Sequence, residues 1–496
     1  MIASLPQVIS KFYKPAFWFL AVVFLGLNFA LKWTQVASYA PEWGGFERNV
    51  IWGIQQIMQG KPLYSNPEAI PFAIVQYMPL YYYTVANLGN LFSVDPLDAH
   101  QVYTLARSVS FCCCIFSSIL LILMALRFRV GKEIAIAVGL IAFFWMDKFA
   151  IAARPDSFKA LVFQLIIFVL IQFPEKRKRF IFPLAVLLSL AGFMSKQDGL
   201  VFSGILPLAL LYGGSWKETI FWGGLTAVFH GLILFLIQAN THSAFFQNVA
   251  GGLQNGISIS WFINAFGGYF AFMAILFGLA LVLAFEFAFE QNWKLRVLSA
   301  ALVCSFFPSL FFSFKYGSGA NYFLEATLIS LLLFGIWLQS LDFKKVFVFP
   351  QSDRLFGLLV FSLLFYVAAM QWVAGVFLNS EKDLKAYYLN QKEVADYLKT
   401  IKNGKAKVLV NFKKQWEESL TGMLPNHVVC PQRDVAIQVF NAKGKISFEA
   451  LKSEISGGKV EFVVTETGQL PSFLNVNFNR FLLTKKIGQF DVWSYQ

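Results

Sequence analysis

The sequence predicts a polytopic α-helical membrane protein of about eleven transmembrane helices followed by a small α/β domain. Three observations lead there. Of the 496 residues, 57% are hydrophobic and only 14% are charged, against about 25% charged in a soluble domain. Apolar runs of about 15–25 residues recur along the chain, the length a helix needs to cross a bilayer. After residue 376 that pattern stops, and polar, Gly-containing loops separate helix-like from strand-like segments. The boundaries read as 1–375 for the membrane part and 376–496 for the soluble domain.

The first run, 15–31, follows Lys11 and Lys14 and has no small-residue cleavage site behind it. It reads as a transmembrane helix rather than a removed signal. A long first outer loop, 32–105, comes next. Within it GGFERNVIWGIQQIMQGKPLY (44–64) has helical spacing, with Val50, Ile54, Ile57 and Met58 on one side. That pattern predicts an amphipathic helix at the membrane surface. IPFAIVQYMPLYYYTVANLGNLF (70–92) reads as a second, Tyr-rich interfacial helix. Further apolar runs fall at 106–126, 134–150, 158–173, 180–194, 199–213, 219–238, 261–285, 297–314, 323–340 and 355–375.

Basic clusters orient these spans. With a cytoplasmic N-terminus, Arg127, Arg129 and Lys132, then Lys176 to Arg179, Lys294 with Arg296, and Lys344, Lys345 and Arg354 all lie inside. An odd number of spans leaves the C-terminus outside. The formal charge of +13 is accounted for by such loops, with no basic arm of the kind that binds nucleic acid. The five cysteines show neither a disulfide framework nor metal-ligand spacing. On this topology GGFERN (44–49), AARPDS (152–157), SKQDG (195–199) and KYGSGANY (315–322) emerge together on the outer face, where a site can assemble from several loops.

In the C-terminal part, EKDLKAYYLNQKEVADYLKTIK predicts a helix burying Leu384, Tyr388, Val394, Tyr397 and Leu398. KVLVNF (407–412) and VEFVVTE (460–466) predict strands. The domain reads as a cap over the outer face without a catalytic acid at Glu417, Glu418, Asp434 or Glu466.

Several side chains are candidates for chemistry. Glu47 opens a helix, where the dipole favours negative charge. A solvated helix start and a general base or metal-binding carboxylate both fit it, and Glu42 is a substitute. Asp156 fits a helix cap as well as a site acid. Arg154 can pair with Asp156 or hold a phosphate through its planar donor fork. Lys196 and Asp198 can close a polar turn by their own ion pair. The glycines of KYGSGANY allow close backbone approach to a ligand, with Lys315 as a point charge. GxxxxGK[ST] and GxSxG are absent, and the four histidines lack metal spacing.

The order of these features resembles the GT-C superfamily of membrane glycosyltransferases. The likeness is to the branch of protein O-mannosyltransferases and the lipid A aminoarabinose transferase. FERNVIWGIQQIMQGKPLY is similar to that branch's acidic motif opening a helix and ending in a G-x-x-x-Y-like turn. YMPLYYYT matches its Pro-aromatic segment, Ala106–Arg107 its Ala-Arg, Asp156 its later acid, Lys196 its Lys-containing turn, and KYGSGANYFLE a glycine–Asn–Tyr stretch. Two departures stand out: Phe46–Glu47 replaces an Asp-Glu pair, and Met78 stands where some relatives have Lys. The resemblance implies sugar transfer from a polyprenyl-phosphate donor to a lipid, glycan or protein acceptor, at the outer face of a bacterial cell membrane. It implies Glu47 and Asp156 as catalytic groups, Arg154, Lys196 and Lys315 on the donor phosphate, and Arg48, Tyr77, Asn321 and Tyr322 on substrate. Whether a divalent cation takes part stays open, since no metal motif exists. A flippase of lipid-linked saccharides and a non-catalytic assembly subunit are the alternatives. Against the first, no inverted repeat is present.

Overall fold

A computed structural model describes residues 5–42, 47–146, 148–172, 178–254, 256–340, 381–401, 406–413 and 418–496. The apolar runs expected up to residue 340 fall on helix, except that 134–150 is interrupted by a bend at Met146. The run 355–375, the basic residues Lys176, Arg177, Lys344, Lys345 and Arg354, and Glu417 lie outside the described residues. The helices are α1 (Leu5–Val36), α2 (Glu47–Met58), α3 (Pro79–Leu91), α4 (Ala99–Arg127), α5 (Lys132–Trp145), α6 (Lys148–Ile151), α7 (Asp156–Gln172) and α8 (Lys178–Ser195). A 3-10 helix (Gln197–Gly204) leads into α9 (Ile205–Tyr212), followed by α10 (Trp216–Asn240), α11 (Ala244–Val249), α12 (Ile259–Ala288), α13 (Trp293–Ser313) and α14 (Leu324–Ser340). Among the described residues six helices are long and apolar enough to cross a membrane: Pro15–Val36, Ala99–Arg127, Trp216–Asn240, Ile259–Ala288, Trp293–Ser313 and Ala320–Ser340. The protein is a multi-pass membrane protein.

α4, α5, α7, α13 and α14 enclose one apolar core that includes Met124, Phe163, Ile167, Leu298 and Leu328. Beside it, α8 and the 3-10 helix meet backbone to backbone. A Cβ on Gly199 would stand 2.2 Å from the Gly192 carbonyl oxygen, so only glycine permits this approach.

The first outer loop departs from expectation in two places. Residues 70–78 are not helical; helix starts at Pro79. Proline suits the first helical turn and pushes the residue before it out of helical space, and Met78 is accordingly extended, with φ −65° and ψ 156°. The extended segment is buried, and its amides are satisfied by side chains. Ile74 N donates to Gln432 Oε1 at 2.9 Å and Val75 N to Asn248 Oδ1 at 2.8 Å. The second departure is α2, which buries Glu47 to Gln56 on every side. Its polar face is roofed by the C-terminal part: Gln55 Nε2 donates to the Gly422 carbonyl at 2.7 Å and Trp52 Nε1 to that of Pro425 at 3.3 Å.

The C-terminal sheet domain comprises α15 (Glu381–Thr400), β1 (Val408–Val410), α16 (Leu420–Met423), α17 (Arg433–Asn441), α18 (Glu449–Ser456), β2 (Phe462–Glu466), β3 (Phe481–Ile487) and β4 (Phe490–Tyr495). Strand order is β1-β2-β4-β3, with β1 parallel to β2 and the other pairs antiparallel. Val394 and Leu398 are buried as expected, whereas Leu384, Tyr388 and Tyr397 are half-buried. A second core joins this domain to the first loop, uniting Ile51, Tyr82 and Tyr103 with Leu398, Val410, Leu424 and Phe490. The two must therefore lie on the same side of the membrane.

Gly199→Ala should lower the thermal midpoint of the detergent-solubilised protein, since overpacking of a fixed backbone contact costs about 1–3 kcal/mol. A midpoint equal to that of the wild type would show that α8 and the 3-10 helix can separate freely.

Candidate active site

Glu47 and Arg107 are both fully buried. Arg107 Nε donates to Glu47 Oε1 at 2.9 Å and Nη2 to Oε2 at 3.1 Å. The remaining guanidinium donors reach the carbonyls of Ser38 at 3.1 Å and Ala40 at 2.7 Å. The Ala153 amide donates to Glu47 Oε1 at 2.6 Å. One ion pair thus joins the chain after α1, the start of α2, α4, and the turn before α7. Glu42 caps the same helix start, accepting from the amides of Glu47 at 2.8 Å and Arg48 at 3.1 Å. Burial pushes the Glu42 carboxyl up to about 7, with Arg48 opposing and Glu47 adding to the rise.

Asp156, at the first position of α7, organises the cations. Its Oδ1 accepts from Lys196 Nζ at 2.8 Å and Asn321 Nδ2 at 2.8 Å, and Arg154 Nε lies 3.1 Å from Oδ2. Lys196 also stands over the rings of Tyr322 (4.6 Å) and Tyr77 (5.6 Å). Burial works against the Lys196 charge, but Asp156 and then Asp198 hold its ammonium well above the usual lysine range. The network continues into the helices. Lys159 Nζ is 2.8 Å from Asp198 Oδ2 and 3.2 Å from Glu325 Oε1, and Lys196 is 3.7 Å from Asp198.

Above this network lies a cavity walled by Tyr77, Arg154, Lys315, Asn321 and Tyr322, with Gln438 reaching it from α17. Arg154 Nη2 is 3.4 Å from the Tyr77 hydroxyl. The loop 315–322 is pinned on both sides. Tyr316 N donates to the Gly256 carbonyl and Ser258 N to that of Phe314, while Trp261 Nε1 donates to the Ser318 carbonyl at 3.0 Å. Gly317 turns the loop at φ 82°, a conformation glycine adopts freely. Burial pulls the Lys315 ammonium down to about 8; Lys196 lowers it further and Asp198 opposes.

Five residues expected from three separate stretches thus share one cavity, and Asp156 and Lys196 lie directly behind its wall. Glu47 and Arg48 are not among the lining residues. Arg48 is held instead by the C-terminal domain, with Nη1 2.7 Å from Glu418 Oε2 and Nη2 paired to Asp434. Lys159, Glu325, Gln76 and Gln438 were not foreseen. For Lys159 and Glu325 a signal existed, because a charge inside an apolar run marks a site candidate. Among the described residues no group of three His, Cys, Asp or Glu could hold a metal ion.

No protein-family model matches the sequence, and no curated protein matches it. Solved structures, in contrast, share its architecture. ArnT from Cupriavidus metallidurans bound to undecaprenyl phosphate is 13% identical, with 95% of this chain and 97% of that one covered at a TM-score of 0.60. Its apo state gives 12%, the same coverage and 0.58. The apo oligosaccharyltransferase of Archaeoglobus fulgidus is 11% identical over 92% of this chain and 69% of that one, at 0.55. The class these likenesses define is a multi-pass helical membrane protein bearing a small C-terminal sheet domain. More particularly, the fold is the one shared by ArnT of Cupriavidus metallidurans and the oligosaccharyltransferase of Archaeoglobus fulgidus.

Breaking a buried ion pair by removing one partner typically costs about 3–5 kcal/mol. Glu47→Gln should therefore lower the thermal midpoint markedly, and Glu47→Gln/Arg107→Met should recover part of the loss. Equal midpoints for wild type and Glu47→Gln would mean that Arg107 does not depend on this carboxylate.

Proposed function

We propose that the chain is a membrane glycosyltransferase moving a sugar from a polyprenyl-phosphate donor to a lipid, glycan or protein acceptor at the outer face of the cell membrane. Residues 1–375 form the transferase domain in this reading, and 376–496 an extracytoplasmic domain. The observation that carries it is the convergence of Tyr77, Arg154, Lys315, Asn321 and Tyr322 on one cavity backed by Lys196 and Asp156. The fold shared with ArnT bound to undecaprenyl phosphate supports the donor class.

In the reaction the bond between the anomeric carbon and the phosphate oxygen breaks, its electron pair staying on the phosphate. The acceptor hydroxyl oxygen bonds the anomeric carbon and gives up its proton. Arg154, Lys196 and Lys315 stabilise the negative charge that gathers on the leaving phosphate. Asp156 keeps Lys196 and Arg154 aligned before the donor arrives. A carboxylate held by two cations is a weak base. It becomes a better one as those cations turn to the phosphate, so Asp156 receives the acceptor proton. Glu47 acts at one remove, aiming Arg154 through the Ala153 amide.

Reconstituted into liposomes with labelled undecaprenyl phosphate–hexose, the full chain should release undecaprenyl phosphate and move the label to an acceptor supplied with membrane extract. Donor carried intact across the bilayer would point to a flippase, and donor left untouched to a non-catalytic subunit. A reporter joined after Gln496 should be active only outside the cytoplasm; activity inside would overturn the orientation.

Lys315 supplies a pH test. Facing Lys196 and Asp198, its ammonium is largely charged below about pH 8 and lost above it. Affinity for undecaprenyl phosphate should therefore fall as pH rises from 7 to 9.5, by about tenfold, the worth of one hydrogen bond to a charged group. Lys315→Met should flatten that profile. An unchanged profile in the variant would remove Lys315 from the phosphate site.

A further inference from the structure

The cavity has two chemically different sides. One is cationic, from Arg154 and Lys315 with Lys196 behind them. The other is neutral and amide-rich, from Gln76 and Gln438. Among the described residues none of those lining the cavity is acidic.

Both amides sit on fixed backbone. Gln76 Nε2 donates to the Gly252 carbonyl at 2.5 Å. A Cβ on Gly252 would come within 2.6 Å of Ile74 and 3.1 Å of Gln76, so glycine lets the extended segment lie close against this turn. The segment 432–445, which contains α17 and its Gln438, is tied down beside the cavity at three points. Ile74 N donates to Gln432, Arg48 pairs with Asp434, and Lys445 N donates to Gln254 Oε1 at 2.7 Å. A carboxamide both donates and accepts hydrogen bonds without charge, as a sugar hydroxyl does.

The ionic balance limits what binds. The cations Arg154, Lys159, Lys196 and Lys315 meet the carboxylates Asp156, Asp198 and Glu325. Asp156 and Asp198 offset part of that positive charge, and the wall facing the cavity stays cationic. A charged amino sugar would meet cations and no carboxylate on the cavity wall.

We propose that the sugar on the donor phosphodiester is uncharged and hydroxyl-rich, and that Gln438 of the C-terminal domain is a specificity-determining contact to it. This rests on the donor class of the preceding section. It adds that the soluble domain takes part in sugar selection.

The test is equilibrium binding to the full chain in nanodiscs. The probes are undecaprenyl phosphate, undecaprenyl phosphate linked to glucose, mannose or galactose, and undecaprenyl phosphate linked to an amino sugar. Wild type should bind at least one hexose lipid about 3- to 10-fold more tightly than the bare lipid, the worth of one neutral hydrogen bond. The amino-sugar lipid should bind more weakly than that hexose lipid. Gln438→Ala should abolish the hexose increment and change bare-lipid affinity by less than about twofold. Gln438→Glu should shift preference towards the amino-sugar lipid, a gain that a misfolded domain would not give. The proposal is overturned if wild type prefers the amino sugar, if no hexose adds affinity, or if Gln438→Ala keeps the increment. Failure of wild type to bind undecaprenyl phosphate at all would instead strike the donor class itself, and the proposal with it.

Discussion

Glu47 and Arg107 are both withdrawn from solvent, and each meets its opposite charge there. Burying a single ion costs several kcal/mol even after the protein relaxes, so each charge is tolerable only because the other faces it. Two backbone carbonyls and the Ala153 amide complete the shell. That shell draws together the chain after α1, the first turn of α2, the middle of α4 and the approach to α7. The direction of Arg154, one residue beyond Ala153, follows from it. So does the inclination of α2, which carries Arg48 to the C-terminal domain.

A second constraint is electrostatic. Lys196, Arg154 and Asp156 are gathered before any ligand arrives, in surroundings where water screens little. Carboxylates hold the cations in place and prevent their mutual repulsion from scattering them. Alignment paid for during folding does not have to be found again at each turnover. The Lys159, Asp198 and Glu325 contacts extend this arrangement between α7, the 3-10 helix and α14, so helix packing and charge placement cannot change independently.

Much of this was legible in the sequence, and the exceptions have physical causes. Apolar run length marked the helices well because a bilayer selects for length and apolarity alone. Charges between such runs marked Arg154, Asp156, Lys196 and Lys315, since few other reasons place them there. The surroundings of α2 were not legible. Val50 and Ile54 define the same apolar stripe whether the opposite face meets lipid headgroups or a folded domain, and here Gln55 and Trp52 bond to the Gly422 and Pro425 carbonyls. The extended course of 70–78 did have a sign in Pro71 and Pro79, outweighed by the aromatic run between and beyond them. β3 went unseen because FLLTKKI turns most of its side chains to solvent, and β4 because FDVWSY has three consecutive buried residues and no alternation to read. Gln438 carries no local signal; only the docking of α17 brings it to the cavity.

The core shared by the first loop and the C-terminal sheet domain bears on how the protein is made. Ile51 and Tyr103 leave the ribosome long before Gly422, which packs against them, and before Leu398, Leu424 and Phe490 of the same core. During synthesis the early loop stands with an open apolar face, and nothing encoded nearby can close it. Maturation of the loop thus waits for the end of the polypeptide. A nascent chain halted before residue 381 would keep its helices while leaving the face of α2 that meets Leu420–Met423 uncovered.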